Sequence, residues 1–149
     1  MTTEQNVLQI GIARIYVKDL SFESPKAPMV FRGEAWRPEL KLDVGVKPRK
    51  IQGDYWEVAL ELTIEAKESG EVAFIVEIEQ GGLFEIKGPE GVGIDRALQI
   101  FCPSTLFPYA RQAIDQALLV GGFPPLMLAP INFEALREAQ EQKPQPQAD

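Results

Sequence analysis

Apolar residues in the first 86 positions recur mostly every second residue, and those after position 93 every third or fourth. A period of two belongs to strands with one covered face, and a period near 3.6 to amphipathic helices. Leu8, Ile10 and Ile12 alternate, but the phase blurs at Ile15-Tyr16-Val17. This predicts a first strand from Leu8 to Glu23 that contains a bulge. SPKAP and the Trp36–Pro38 triplet mark an extended, proline-rich connection. Leu40, Leu42, Val44 and Val46 give a second strand, Glu39–Val46, with VKPRK as a basic turn. Tyr55–Ala66 alternates most cleanly, with Trp56, Val58, Leu60, Leu62 and Ile64 on one side. A one-residue slip would bury Glu57, Glu61 and Glu65 instead, so the register is tightly specified. ESGE makes a hairpin turn into a fourth strand, Glu71–Ile86, which Gly81-Gly82 is expected to bend or bulge. Consecutive strands with short links imply an antiparallel sheet with one face covered.

The cover is helical. Ile94, Ala97, Leu98 and Phe101 have helical spacing, and Pro103 is expected to interrupt it. Ser104 or Thr105 then caps a second stretch, with Pro108 in its first turn, running to Val120 before Gly121 ends it. Asn132 caps a short helix, FEALREAQEQ. The predicted fold is α+β: a four-stranded antiparallel sheet with a long helix, kinked at Pro103, and a short C-terminal helix packed on one face. Residues 1–142 read as a single domain. The polar KPQPQAD tail, 143–149, reads as disordered.

Two stretches fit this plan poorly. Gly121, Gly122, Pro124, Pro125 and Pro130 forbid regular structure between the last two helices. Phe123, Leu126, Met127, Leu128 and Ile131 forbid a solvated loop there. Such a segment either seals the core or lines a groove for a partner's apolar groups. The other anomaly is the strand face turned away from the core. It collects Glu39 and Asp43, then Glu57, Glu61 and Glu65, then Glu77 and Glu79, while Asp19 and Glu23 share a parity in the first strand. Like charges facing across a sheet destabilise it. The face is either a solvated surface or a docking surface for a basic partner, with Ile75 as an apolar anchor.

Composition narrows the function. The net charge of −7 opposes nonspecific binding to nucleic acid. No apolar run is long enough to cross a membrane, and MTTEQNVLQ lacks the features of a secretory signal, so a cytoplasmic location is expected. The single cysteine, Cys102, suits a reducing compartment. There is no histidine, and KGPEGVG lacks the ending of a phosphate-cradling loop. No catalytic residue, metal site or cofactor is expected.

RIYVKDLSFESPKAP, EIEQGGLFEI, FCPSTLFPYARQ and GGFPPLMLAPINF occur here in that order. Together they resemble the SecB family of bacterial export chaperones, over roughly residues 8 to 138. The resemblance implies a cytosolic holdase that keeps preproteins unfolded and delivers them to the motor SecA. It implies a homotetramer, a dimer of dimers, with no nucleotide or metal of its own and no insertion into the membrane. It carries docking of SecA's zinc-containing C-terminal tail onto Asp19, Glu23, Ile75 and Glu77. It also carries an apolar client groove, for which Trp36, Phe84, Phe123, Leu126 and Met127 are the candidates. The chain departs from the family after Gln142, where its tail is rich in proline and glutamine. Rival readings are a SecB-like chaperone dedicated to a toxin–antitoxin pair and a small-ligand-binding α+β domain.

Overall fold

The computed structural model describes residues 7–33 and 35–142. The expected N-terminal stretch before Val7 and the tail 143–149 lie outside the described residues. Strands β1 (Gln9–Glu23), β2 (Glu39–Gln52), β3 (Tyr55–Glu68) and β4 (Glu71–Lys87) form one antiparallel sheet in the order β1-β4-β3-β2. A contiguous helical rod follows: α1 (Val92–Arg96), a π-helical turn (Ala97–Phe101) and α2 (Cys102–Val120). Helix α3 (Phe133–Gln142) comes last. The α+β class and the four-stranded antiparallel sheet are those the hydrophobic periodicity predicts.

The ESGE hairpin forms as expected, while the β2–β3 turn falls at Gly53-Asp54, beyond the stretch expected to turn. Gly53 takes φ 58° in the β2–β3 turn, and Ser69 and Gly70 take φ 54° and 81° in the β3–β4 turn. In the β3–β4 turn, positive φ at both central residues matches the twist of the flanking strands. The alternation in β3 is also realised: Val58, Leu60, Leu62 and Ile64 are fully buried. Leu106, Ala110, Ile114 and Leu118 of α2 recur every four residues and are fully buried in the same core as these strands. Each large apolar side chain in this layer contributes about 1.5–3 kcal/mol.

Several local expectations are corrected. VKPRK is not a turn, because β2 continues through it to Gln52, pairing Lys47 with Ala59, Pro48 with Val58 and Arg49 with Glu57. Pro48 is tolerated because β2 is an edge strand. Gly81 and Gly82 do not bulge β4, since both pair in register with β1 and β3. They leave room above the strand instead. A Cβ on Gly81 would lie 2.4 Å from the Tyr16 ring, and one on Gly82 2.6 Å from Phe84 and 2.8 Å from Leu106.

Pro103 does not stop the helix. The π turn immediately before it shifts the ladder, with the Cys102 amide donating to the Ala97 carbonyl, where Pro103 has no N–H to give. Ser104 and Thr105 consequently do not cap. Their hydroxyls donate back to the Ile100 and Phe101 carbonyls. Pro108 lies inside α2 and not in its first turn. At the other end, Gly122 takes the left-handed conformation, φ 92°. Phe123 N–H donates to the Leu118 carbonyl and Gly122 N–H to the Leu119 carbonyl, a Schellman ending. The Asn132 cap forms as expected, its Oδ1 accepting from the Ala135 amide at 2.9 Å.

The blurred phase in β1 resolves into two bulges and not one. Register shifts fall between Ile12 and Arg14 and between Val17 and Asp19. The pairing puts Ile10 and Ile12, then Ile15 and Val17, then Leu20 and Phe22 on the core side. Each extra residue, Ala13 and Lys18, reverses the parity once.

Candidate functional site

The sheet face away from the helices is built from antiparallel rows. Asp19 stands opposite Glu79, which faces Glu61; Ser21 opposite Glu77, which faces Thr63; Glu23 opposite Ile75, which faces Glu65. Directly paired residues share a face, so Asp19, Glu23, Ile75 and Glu77 lie together on it. Asp19, Glu23 and Glu77 are exposed, and Ile75 is half-buried.

Much of the acidic row is neutralised from within. Lys18 reaches Glu57 at 2.9 Å and Glu79 at 3.7 Å; Arg49 reaches Glu57 at 3.2 Å, Lys47 reaches Glu61 at 3.1 Å and Lys67 reaches Glu65 at 3.6 Å. These cations were hidden from the sequence reading for a definite reason. Lys18 joins the face through a bulge, and Lys47 and Arg49 through the part of β2 read as a turn. Glu57 is also not exposed as its row suggested. It is 8% accessible and accepts hydrogen bonds from Tyr16 Oη, Lys18 Nζ and Arg49 Nη2. Burial raises its pKa, but those three donors outweigh the effect and hold it below the ordinary carboxylate value. Tyr16, buried against the sheet and bonded to that carboxylate, is pushed up to about 12. Among the described residues, no salt bridge reaches Asp19, Glu23 or Glu77.

The groove candidates divide. Trp36 and Phe123 come together, with ring centroids 5.3 Å apart, in an aromatic cluster with Phe22, Phe31 and Phe74. Phe31, Trp36, Phe123 and Pro124 line an open cleft of about 440 Å³ between the β1–β2 connection and the start of the apolar loop. Phe123 itself is 4% exposed, so it is chiefly a core residue at the cleft floor. Phe84 is fully buried, and none of the cluster's ring contacts involves it. It packs near Gly82 under α2. Leu126 is half-buried.

Met127 behaves oppositely. Its side chain is 75% exposed, and its backbone holds φ 54°, which costs a residue with a side chain. Asp115 of α2 fixes this turn by accepting from the Leu126 amide at 2.9 Å and the Met127 amide at 3.4 Å. Arg111 donates to the Leu128 carbonyl at 3.4 Å. The loop is thus clamped to α2 with one thioether pointing outward. Phe22, Phe31 and Phe74 were missed as members of the aromatic cluster because they lie on separate segments that only the fold brings together; of the three, Phe31 lines the cleft.

A family model described as preprotein translocase subunit SecB matches residues 3–144. The chain belongs to the SecB family. A protein-export protein SecB of Pseudomonas savastanoi pv. phaseolicola is 47% identical over 145 residues, covering 97% of this chain and 89% of that protein. One from Marinobacter nauticus is 52% identical over 132 residues, covering 89% and 79%. A Mycobacterium tuberculosis SecB-like chaperone, solved with a ChAD peptide from the HigA1 antitoxin, shares the fold. Its TM-score is 0.63 at 16% identity, over 82% of this chain and 90% of that one. The chain is therefore a protein-export chaperone, in a family that is not enzymatic. Among the described residues, no helix is long and apolar enough to cross a membrane.

Proposed function

We propose that this SecB-family chain holds preproteins unfolded in the cytoplasm and passes them to SecA, whose zinc-containing C-terminal tail docks on Asp19, Glu23, Ile75 and Glu77. One observation carries the docking reading. On a face where Glu57, Glu61, Glu65 and Glu79 each have an internal cation, Asp19, Glu23 and Glu77 have none among the described residues and gather around Ile75, whereas Glu39 and Asp43, also without one, stand two strands away on β2. Carboxylates left over after the fold has balanced the others are free to meet a partner's cations, with half-buried Ile75 between them.

Client holding is supported by the aromatic cleft around Trp36 and Phe123 and by the outward thioether of Met127. Leu126, beside Met127, is half-buried against the core and offers part of its side chain to a client. Apolar, adaptable contacts suit clients of many sequences. Assembly as a dimer of dimers is supported by the apolar groups the single chain leaves exposed on the helix side of the sheet. Ile12 is 50%, Val17 48%, Leu20 42%, Leu40 48% and Leu42 39% accessible. These lie on the edge strands β1 and β2, whose outer edges have no neighbour in the sheet among the described residues.

The test is titration of the isolated, zinc-loaded SecA tail peptide against wild type and Glu77→Lys. Charge reversal is expected to weaken binding at least tenfold while client capture persists, and wild-type binding should fall as salt rises. Equal affinity for the two proteins overturns the docking assignment.

A further inference from the structure

The bulge at Lys18 decides which way Asp19 and Glu23 point. Tyr16 lies opposite Gly81 and Val17 opposite Gln80, and then Asp19, not Lys18, lies opposite Glu79. Without the extra residue, strict alternation would turn Asp19, Ser21 and Glu23 toward the core and Leu20 and Phe22 toward solvent. A bulge is a local rearrangement that needs anchoring, because its extra residue drops out of the ladder.

The second bulge has such an anchor. Lys18, the extra residue, places its ammonium 2.9 Å from Glu57 and 3.7 Å from Glu79. Tyr16, two residues before it, lies across β4 in the space that Gly81 leaves open and donates its hydroxyl to the same Glu57. Glu57 thereby ties β1 to β3 across the intervening strand, and Arg49 adds β2. The acceptor is 8% exposed, so its bonds are little weakened by water.

We infer that Glu57 and Lys18 are positioning residues for the docking face: they hold the second bulge of β1 and so fix Asp19 and Glu23 beside Ile75 and Glu77. This rests on the docking reading above. Neither residue need touch the partner.

The sign of one substitution separates positioning from plain electrostatics. Lys18→Met makes the outer face more negative. If charge alone governed the contact, a cationic tail would bind more tightly. If Lys18 holds the bulge, binding weakens. Lys47, 70% exposed at its side chain and paired with Glu61, supplies the matched control, because its removal changes the charge equally without touching β1.

The experiment titrates the zinc-loaded SecA tail peptide against wild type, Lys18→Met, Glu57→Gln and Lys47→Met, and follows amide hydrogen exchange across β1 in each. Expected are losses of fivefold or more for Lys18→Met and Glu57→Gln, and unchanged or tighter binding for Lys47→Met. Exchange should accelerate at Lys18–Ser21 in the first two only. Wild-type or tighter binding by Lys18→Met overturns the inference, as does unchanged exchange at the bulge in both anchoring variants. A wild type that fails to bind the tail at all refutes the docking reading instead. Exchange at Lys18–Ser21 then still decides whether Glu57 and Lys18 hold the bulge.

Discussion

Phe123 and Met127 are four residues apart in one loop, and the structure gives them opposite expected phenotypes. Phe123 is 4% exposed, with ring centroids 5.0 Å from Phe74, 5.1 Å from Phe31, 5.3 Å from Trp36 and 6.1 Å from Phe22. Phe123→Ala removes a ring from a cluster drawn from β1, the β1–β2 connection and β4, which cannot collapse together onto the void. The expected cost is about 3–5 kcal/mol, a large part of the roughly 5–15 kcal/mol that holds a domain folded. At roughly 2–4 °C per kcal/mol for a chain of this size, Tm should fall by about 6–20 °C. Met127→Gly should do the reverse. It deletes an exposed side chain at φ 54°, a conformation glycine adopts freely, and keeps the amide that donates to Asp115. Stability should stay within about 1 kcal/mol of wild type. Capture of an unfolded preprotein should nonetheless drop severalfold. Urea melts at fixed protein concentration, with capture measured where both variants are folded, test the pair. A Phe123→Ala protein as stable as wild type would refute the packing argument. Wild-type capture by Met127→Gly would remove the loop from the client surface.

Three further outcomes follow from the same geometry. Glu57 has a lowered folded pKa, so its contribution to stability is present above the unfolded carboxyl value, about 4.3, and is lost as pH falls through the lower folded value. The stability gap between wild type and Glu57→Gln should therefore be full at pH 7 and shrink as the pH falls below the ordinary carboxyl value, as read from urea midpoints. Burial pushes the Cys102 thiol up to about 12, so maleimide labelling of native protein at pH 8 should run about a thousandfold slower than that of an ordinary thiol, and labelling at normal speed while folded would contradict its burial. Gly81→Ala would set a Cβ 2.4 Å from the Tyr16 ring and should destabilise by about 1–3 kcal/mol; Gly11→Ala, which meets nothing within 4 Å, should be close to neutral in the same urea assay.

The sequence by itself determined the sheet, the helical cover and the family. Alternation in Tyr55–Ala66 and Glu71–Ile86 permits one register, because a slip would bury carboxylates, and the SG turn of ESGE is local chemistry. Four ordered motifs were enough for the family. Local rules failed where a distant group supplies the compensation. Pro103 breaks a helix in isolation, but the π turn at Ala97–Phe101 accommodates it. Lys47-Pro48-Arg49 looks like a turn until edge position makes Pro48 harmless, and Gly81-Gly82 looks like a bulge until both are seen to pair in register where the Tyr16 and Phe84 rings crowd them. Only the tertiary structure sorted the acidic face into balanced and unbalanced carboxylates. That sorting depends on Lys18, Lys47 and Arg49 arriving from β1 and β2, and charge pairing across strands has no period along the chain. It also separated Phe123 from Met127, since burial depends on what lies opposite, and what lies opposite Phe123 comes from Phe22, Phe31, Trp36 and Phe74, up to 101 positions away.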